Sequence, residues 1–248
     1  MHRRTAIELT RLRAQGYLPD AAQERRFADW CHRVKRPIIE RALAQDASAD
    51  ARLVLLTSAL PGDGKTFITL NVALSMARER DISVLLVDGD LPRAQISRVL
   101  GLSHEPGLLN ALRDERLDVE SLVFDTEIPR LELLPAGSPP EGASELVASL
   151  RMREISARLL SRDPRRLILF DSPPVLVSSE ARALMAIPGQ ILLVARSNRT
   201  PQRAVVDAVS QIDKQRLRGL VLNDALVGST HGYYGYGYDY PSPPDPAR

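Results

Sequence analysis

The chain has 248 residues, with 33 lysines and arginines against 31 aspartates and glutamates, a formal charge of +2 and 44% apolar residues. That apolar share excludes wholesale disorder, and the near balance of charge speaks against a dedicated nucleic-acid binder, which carries a clear basic excess. The single Cys31 excludes an intrachain disulfide framework and, with only four histidines, a zinc cluster, and no run nears the ~18–20 apolar residues that span a bilayer.

Residues 1–50 are polar and rich in Arg and Ala, and they read as a helical N-terminal extension of one or two helices with breaks at Pro19 and Pro37. No signal-peptide core opens the chain, so a cytoplasmic protein is expected. Short Val/Ile/Leu/Phe runs then recur at 53–57, 84–87, 131–134, 167–170, 191–195 and 220–222. They have no polar alternation, as in strands buried on both faces of a parallel sheet. Helical stretches are expected at 65–79, 93–100, 144–160 and 201–216. This alternation predicts a doubly wound, mostly parallel α/β sheet of the P-loop NTPase type with flanking helices, over residues 51–228. Beyond Val227 there is no Val, Leu, Ile or Met, and five of the six tyrosines fall there: Tyr233, Tyr234, Tyr236, Tyr238 and Tyr240. Residues 229–248 read as a disordered tyrosine-cluster tail.

The strand at 53–57 runs into Ala59-Leu60-Pro61-Gly62-Asp63-Gly64-Lys65-Thr66, and a helix starting Phe67-Ile68 follows. A phosphate chain needs converging backbone N–H groups, a helix N-terminus behind them and no side chain in the way. Gly62 and Gly64 leave that space, Lys65 reaches phosphate oxygens, and the Thr66 hydroxyl is a Mg²⁺ ligand type. Ala59 stands where the strict pattern has its first glycine. Asp88 and Asp90 follow the strand at 84–87, and Asp171 follows the strand at 167–170. Ligands of open parallel sheets sit outside the carboxyl ends of the strands, so these acids should meet the phosphate loop at one edge. Each is then a metal ligand or a base for an attacking hydroxyl.

With these residues in hand, the chain resembles the bacterial tyrosine kinases, or BY-kinases, of the stand-alone cytoplasmic type associated with exopolysaccharide and capsule synthesis. Residues 59–66 look like the family's Walker A motif, Asp88-Gly-Asp90 with Arg93 like its A′ motif, and Asp171-Ser-Pro-Pro174 like its Walker B motif. Pro135-Ala-Gly137 with Ser144-Glu145-Leu146, Gly219-Leu-Val-Leu-Asn223 and the tyrosine cluster are similar as well. The resemblance implies an ATP- and Mg²⁺-dependent tyrosine autokinase with the five clustered tyrosines as acceptors. Pro61 to Phe67 would hold the phosphates, with Lys65 on the β and γ groups, and Asn223 would meet the adenine. Thr66, Asp171 and an A′ aspartate would hold the metal. The other A′ aspartate would serve the tyrosine hydroxyl, Asp88 being placed nearer the hydroxyl and Asp90 nearer the metal.

The resemblance also implies a homo-oligomer. Ring-forming members carry a Glu-x-x-Arg-x-x-Arg-like motif, matched here by residue type only at Asp29, His32 and Lys35. It implies recruitment to the inner face of the plasma membrane by a separate transmembrane chain-length determinant, a protein-tyrosine phosphatase as second partner, and no nucleic acid. The alternative is a nucleotide-switch ATPase like MinD and ParA, although Leu60 stands at the position of their signature lysine. No His-Arg-Asp or Asp-Phe-Gly signature of eukaryotic-type kinases is present.

Overall fold

In the computed structural model, residues 3–137 and 142–225 are described. The tyrosine cluster and the expected tail lie outside the described residues. The elements in order are β1 (Arg3–Thr5), α1 (Leu9–Ala14), α2 (Glu24–Ala42), β2 (Leu53–Ser58), α3 (Lys65–Met76), β3 (Ser83–Asp88), α4 (Gln95–Val99), α5 (Leu108–Arg113), β4 (Phe124–Thr126) and β5 (Leu131–Leu134). They continue with α6 (Ala143–Ala148), α7 (Leu150–Ser161), β6 (Arg166–Asp171), α8 (Ser179–Leu184), β7 (Gln190–Arg196), α9 (Gln202–Ser210) and β8 (Leu217–Asn223).

The eight strands form one sheet in the order β1-β4-β5-β3-β6-β2-β7-β8. All neighbours are parallel except β4 and β5, which are antiparallel. Successive side chains of a strand point to opposite faces, so an unbroken apolar run feeds two cores at once. Leu53 and Leu55 of β2 join one core, with Leu85, Phe170 and Leu193. That core is covered by Leu109 of α5, Val147 of α6, Ile155 of α7, Leu184 of α8 and Ala208 of α9. Val54 and Leu56 join the other, with Leu86, Leu169 and Val194, covered by Leu12 of α1, Ile38 of α2, Ile68 and Met76 of α3, and Ile96 of α4. The result is a three-layer, doubly wound α/β fold.

All six expected strands are present, and the remaining differences have local causes. The helix expected at 144–160 is two helices, because Ser149 adopts an extended backbone (φ −74°, ψ 163°) between them. The helix expected at 65–79 ends at Met76, and the one expected at 201–216 ends at Ser210. Pro37 does not break α2. The carbonyl deprived of a donor there is that of Arg33, and both residues are on the exposed side. β1, β4, α5 and α8 were not expected, being three to six residues long and too short for a periodic signal. The first 50 residues do more than flank the sheet, since β1 pairs with β4 and α2 packs on α3 through the Phe27 and Phe67 rings, 5.2 Å apart.

Candidate active site

The site forms where the carboxyl ends of β2, β3 and β6 lie side by side, with Asp88 of β3 in register with Asp171 of β6. The loop after β2 turns through Gly62 and Gly64, both left-handed (φ +88° and +89°), before α3 begins at Lys65. Gly64 has a second reason to be glycine, because an added Cβ would stand 2.0 Å from Nδ2 of Asn223. Non-glycine residues are disfavoured at such φ values, so the turn and the close approach both depend on these positions.

The Lys65 side chain is buried, its ammonium donating to Asp90 at 2.6 Å and standing 4.0 Å from Asp171. The Thr66 hydroxyl donates to Oδ2 of Asp171 at 2.7 Å. Thr69, one turn further along α3, donates to Oδ1 at 3.1 Å. Asp88 accepts the backbone N–H and the hydroxyl of Ser97, both at 2.7 Å, through Oδ2, while its Oδ1 is buried without a partner. Burial pushes the Asp88 carboxyl up to about 7, and Asp171 adds to the shift. Burial also raises Asp171, more than Lys65 and Thr66 lower it. Burial pulls the Lys65 ammonium down, but Asp171 and Asp90 outweigh it and hold it above its ordinary value. One cation among three buried carboxylates leaves a negative excess, a setting that favours an added cation.

The donors are hard oxygens, hydroxyl and carboxylate, which suit a magnesium-like ion. No group of three or more His, Cys, Asp or Glu that could hold a metal forms among the described residues. The unpaired Asp88 oxygen is a further buried acceptor awaiting a partner.

The expected residues do not all point into this edge. Asn223 reaches the loop, donating to the Asp63 carbonyl at 3.0 Å. Phe67 turns its ring away, onto Phe27 of α2, which leaves the ligand only its backbone. Arg93 is exposed. Lys35 is buried within the chain, donating to the Ser75 carbonyl at 2.9 Å and pairing with Glu79 at 2.7 Å, whereas Asp29 and His32 are exposed. Four residues here were not anticipated: Thr69, Ser97, Arg196 and Thr200. Thr69 is legible afterwards, four residues from Lys65 and so on its face of the helix. Thr200 carries no local signal, as its contact with Asp63 spans 137 residues.

A doubly wound sheet with a glycine loop at its switch point, a buried lysine and carboxylates on the flanking strands defines a P-loop NTPase-type protein. No family model matches the chain. It is similar to a putative tyrosine-protein kinase, EpsB of Ralstonia solanacearum, at 34% identity over 204 residues, covering 81% of this chain and 26% of the relative. It is similar to the tyrosine-protein kinase YwqD of Bacillus subtilis at 29% identity, covering 76% of this chain and 81% of that one. The solved kinase domain of Escherichia coli tyrosine kinase ETK superposes with a TM-score of 0.69 at 26% identity, over 82% of this chain and 78% of that one. The chain thus spans about a quarter of the length of EpsB. The relatives and solved structures it resembles are thus bacterial tyrosine-protein kinases or their kinase domains.

Proposed function

We propose that this chain is an ATP-dependent protein-tyrosine autokinase that modifies Tyr233, Tyr234, Tyr236, Tyr238 and Tyr240 and so regulates exopolysaccharide or capsule polymerisation and export. The observation that carries the reading is the convergence of Lys65, Thr66, Asp88, Asp90 and Asp171 beside a glycine loop, in a chain whose relatives are named tyrosine-protein kinases. ATP with a divalent metal ion goes with the likeness to these kinases, and we assign magnesium from the oxygen donors. We also propose that residues 51–228 are the kinase unit, residues 1–50 the assembly and docking extension, and residues 229–248 the acceptor segment.

Phosphoryl transfer depends on charge neutralisation and alignment more than on covalent chemistry. Lys65 exchanges its Asp90 partner for the β- and γ-phosphate oxygens. The loop from Pro61 to Phe67 offers backbone N–H groups, and Asn223 borders the adenine side. Thr66 and Asp171, with Asp90 beside them, would hold a magnesium ion, which would neutralise charge on the phosphates. Asp88 keeps one uncommitted oxygen and a carboxyl pushed up to about 7, which suits a group that orients a tyrosine hydroxyl and takes its proton. A free tyrosine loses its proton only near pH ~10, so such help is needed at neutral pH.

About ten residues separate Asn223 from Tyr233. Covalent geometry lets a stretch of that length span at most roughly 33–36 Å, enough for its own site or a neighbour's. Each phosphate adds about −1.5 to −2 of charge, so a fully modified cluster approaches roughly −8 to −10 and loosens a homo-oligomer by repulsion. Self-association through α2 would use the exposed Asp29 and His32, since Lys35 is committed within the chain. Among the described residues no helix is long and apolar enough to cross a membrane. We also propose that a separate transmembrane chain-length determinant activates the chain at the inner face of the plasma membrane, and that a protein-tyrosine phosphatase reverses the modification.

The test is incubation with ATP and Mg²⁺ followed by phosphotyrosine detection, with the membrane activator's cytoplasmic segment present. The parent chain is expected to label. Lys65→Met should lose both labelling and ATP uptake, and Phe at all five clustered tyrosines should lose labelling alone. ATP turnover with no phosphotyrosine would instead point to a nucleotide switch.

A further inference from the structure

The phosphate loop is fastened along one flank by residues from much later in the chain. Asp63 lies between the two left-handed glycines, and its carboxylate is buried. One carboxylate oxygen accepts the Leu60 N–H at 2.9 Å, and the other accepts the Thr200 hydroxyl at 2.7 Å. That hydroxyl in turn accepts the Arg196 N–H at 2.7 Å, while the Thr200 N–H donates to the Arg196 carbonyl at 2.9 Å. Thr200 is therefore held on both sides and has one orientation. The Arg196 guanidinium spans from Asp224, at 3.0 Å, to the Gly62 carbonyl, at 3.5 Å. Asn223 donates to the Asp63 carbonyl at 3.0 Å.

Three loop acceptors are thus taken from outside by the turn between β7 and α9 and by the end of β8. A loop that cradles a polyanion must turn its carbonyls outward so that its N–H groups converge on the ligand. The peptides around Gly62 and Gly64 have the widest conformational choice in the loop, and these contacts remove it. A carboxylate so close to phosphates is also repulsive unless donors occupy its oxygens, and Thr200 and the Leu60 N–H are those donors.

We infer that Thr200 is a positioning residue for the phosphate loop, acting through Asp63, and that Arg196 extends the same clamp to the strand end that leads into the tyrosine-rich segment. This rests on the reading that the loop binds ATP. The full chain is titrated with a fluorescent ATP analogue in excess Mg²⁺, and labelling kinetics are followed alongside. Thr200→Val is expected to raise Kd about fivefold, the weight of one buried hydrogen bond. KM for ATP should rise with it while kcat at saturating ATP stays within about twofold. Thr200→Ser, which keeps the hydroxyl, should restore affinity to within about twofold, and Thr200→Val should add little to Asp63→Ala, which removes the acceptor of the same contact. An unchanged Kd in Thr200→Val, or a loss confined to kcat, overturns the inference. If the valine variant loses its thermal transition, Arg196→Gln supplies the reading: an expected rise in Kd of about threefold, with parent-like affinity counting against the clamp. Lys65-dependent ATP binding without phosphotyrosine would sink the kinase reading and leave the clamp standing on its Kd values. A parent chain that binds no nucleotide would sink both.

Discussion

Cys31 illustrates how an environment sets the chemistry of a single side chain. It lies on the inner face of α2, buried, and burial pushes its thiol up to about 12, against the smaller opposite pull of Lys35 and Arg78. The thiolate is the nucleophile, so the folded chain should be inert to iodoacetamide at pH 8 and react only after unfolding. The sign of the linked stability follows. The unfolded thiol ionises near 9 while the folded one stays protonated, so this contribution is intact below about pH 9 and falls as the pH climbs towards 12. Rapid alkylation of the native chain at pH 8 would show that the thiol is not enclosed. At this same scale Lys65, Thr66 and the three aspartates could be named from residue order alone, because a phosphate loop and strand-end acids are local patterns. Thr200, Ser97 and Arg196 could not, because each earns its place by contacts made across the fold.

Among the elements, the amino ends of β5 and β6 are joined by charge. Arg166 of β6 is buried and pairs with Glu120 at 2.7 Å and with Glu132 of β5 at 2.9 Å. One oxygen of Glu120 and Nε of Arg166 remain without partners. Removing the cation would leave two carboxylates uncompensated, one of them fully enclosed. Arg166→Met should therefore destabilise the protein by about 3–5 kcal/mol in urea unfolding, with Glu120→Gln and Glu132→Gln in the same chain recovering much of the loss. A loss below about 1 kcal/mol would mean the pairs are as weak as surface ones. Five of the six expected strands were legible because burial on both faces demands unbroken apolar runs, whereas β8 lies at the sheet edge with Leu220 and Leu222 exposed, so two-sided burial does not hold for its apolar run. β1 and β4 were not legible, since three-residue strands owe their form to their neighbours.

For the whole molecule, the question is whether the first 50 residues are an attachment or part of the folded unit. Ile7, Leu12, Leu18, Ile38 and Ala42 share one core with the sheet face and α3. The chain has a single tryptophan, Trp30, which stacks on Phe27 at 5.1 Å and packs partly buried against that core. Trp30 fluorescence and far-UV circular dichroism should therefore report one coincident unfolding transition. An earlier fluorescence transition would mark the extension as a separately melting unit.

The amino-acid sequence by itself determined the alternation of buried strands and helices, the phosphate loop and the acids at the strand ends. Each is a short-range consequence of side-chain period or of the backbone freedom of glycine. Only the tertiary structure decided that Lys35 is spent inside the chain, that Phe67 turns from the loop to α2, and that a turn 137 residues downstream clamps Asp63. These depend on which distant surfaces meet when the sheet closes, and no local pattern carries that information.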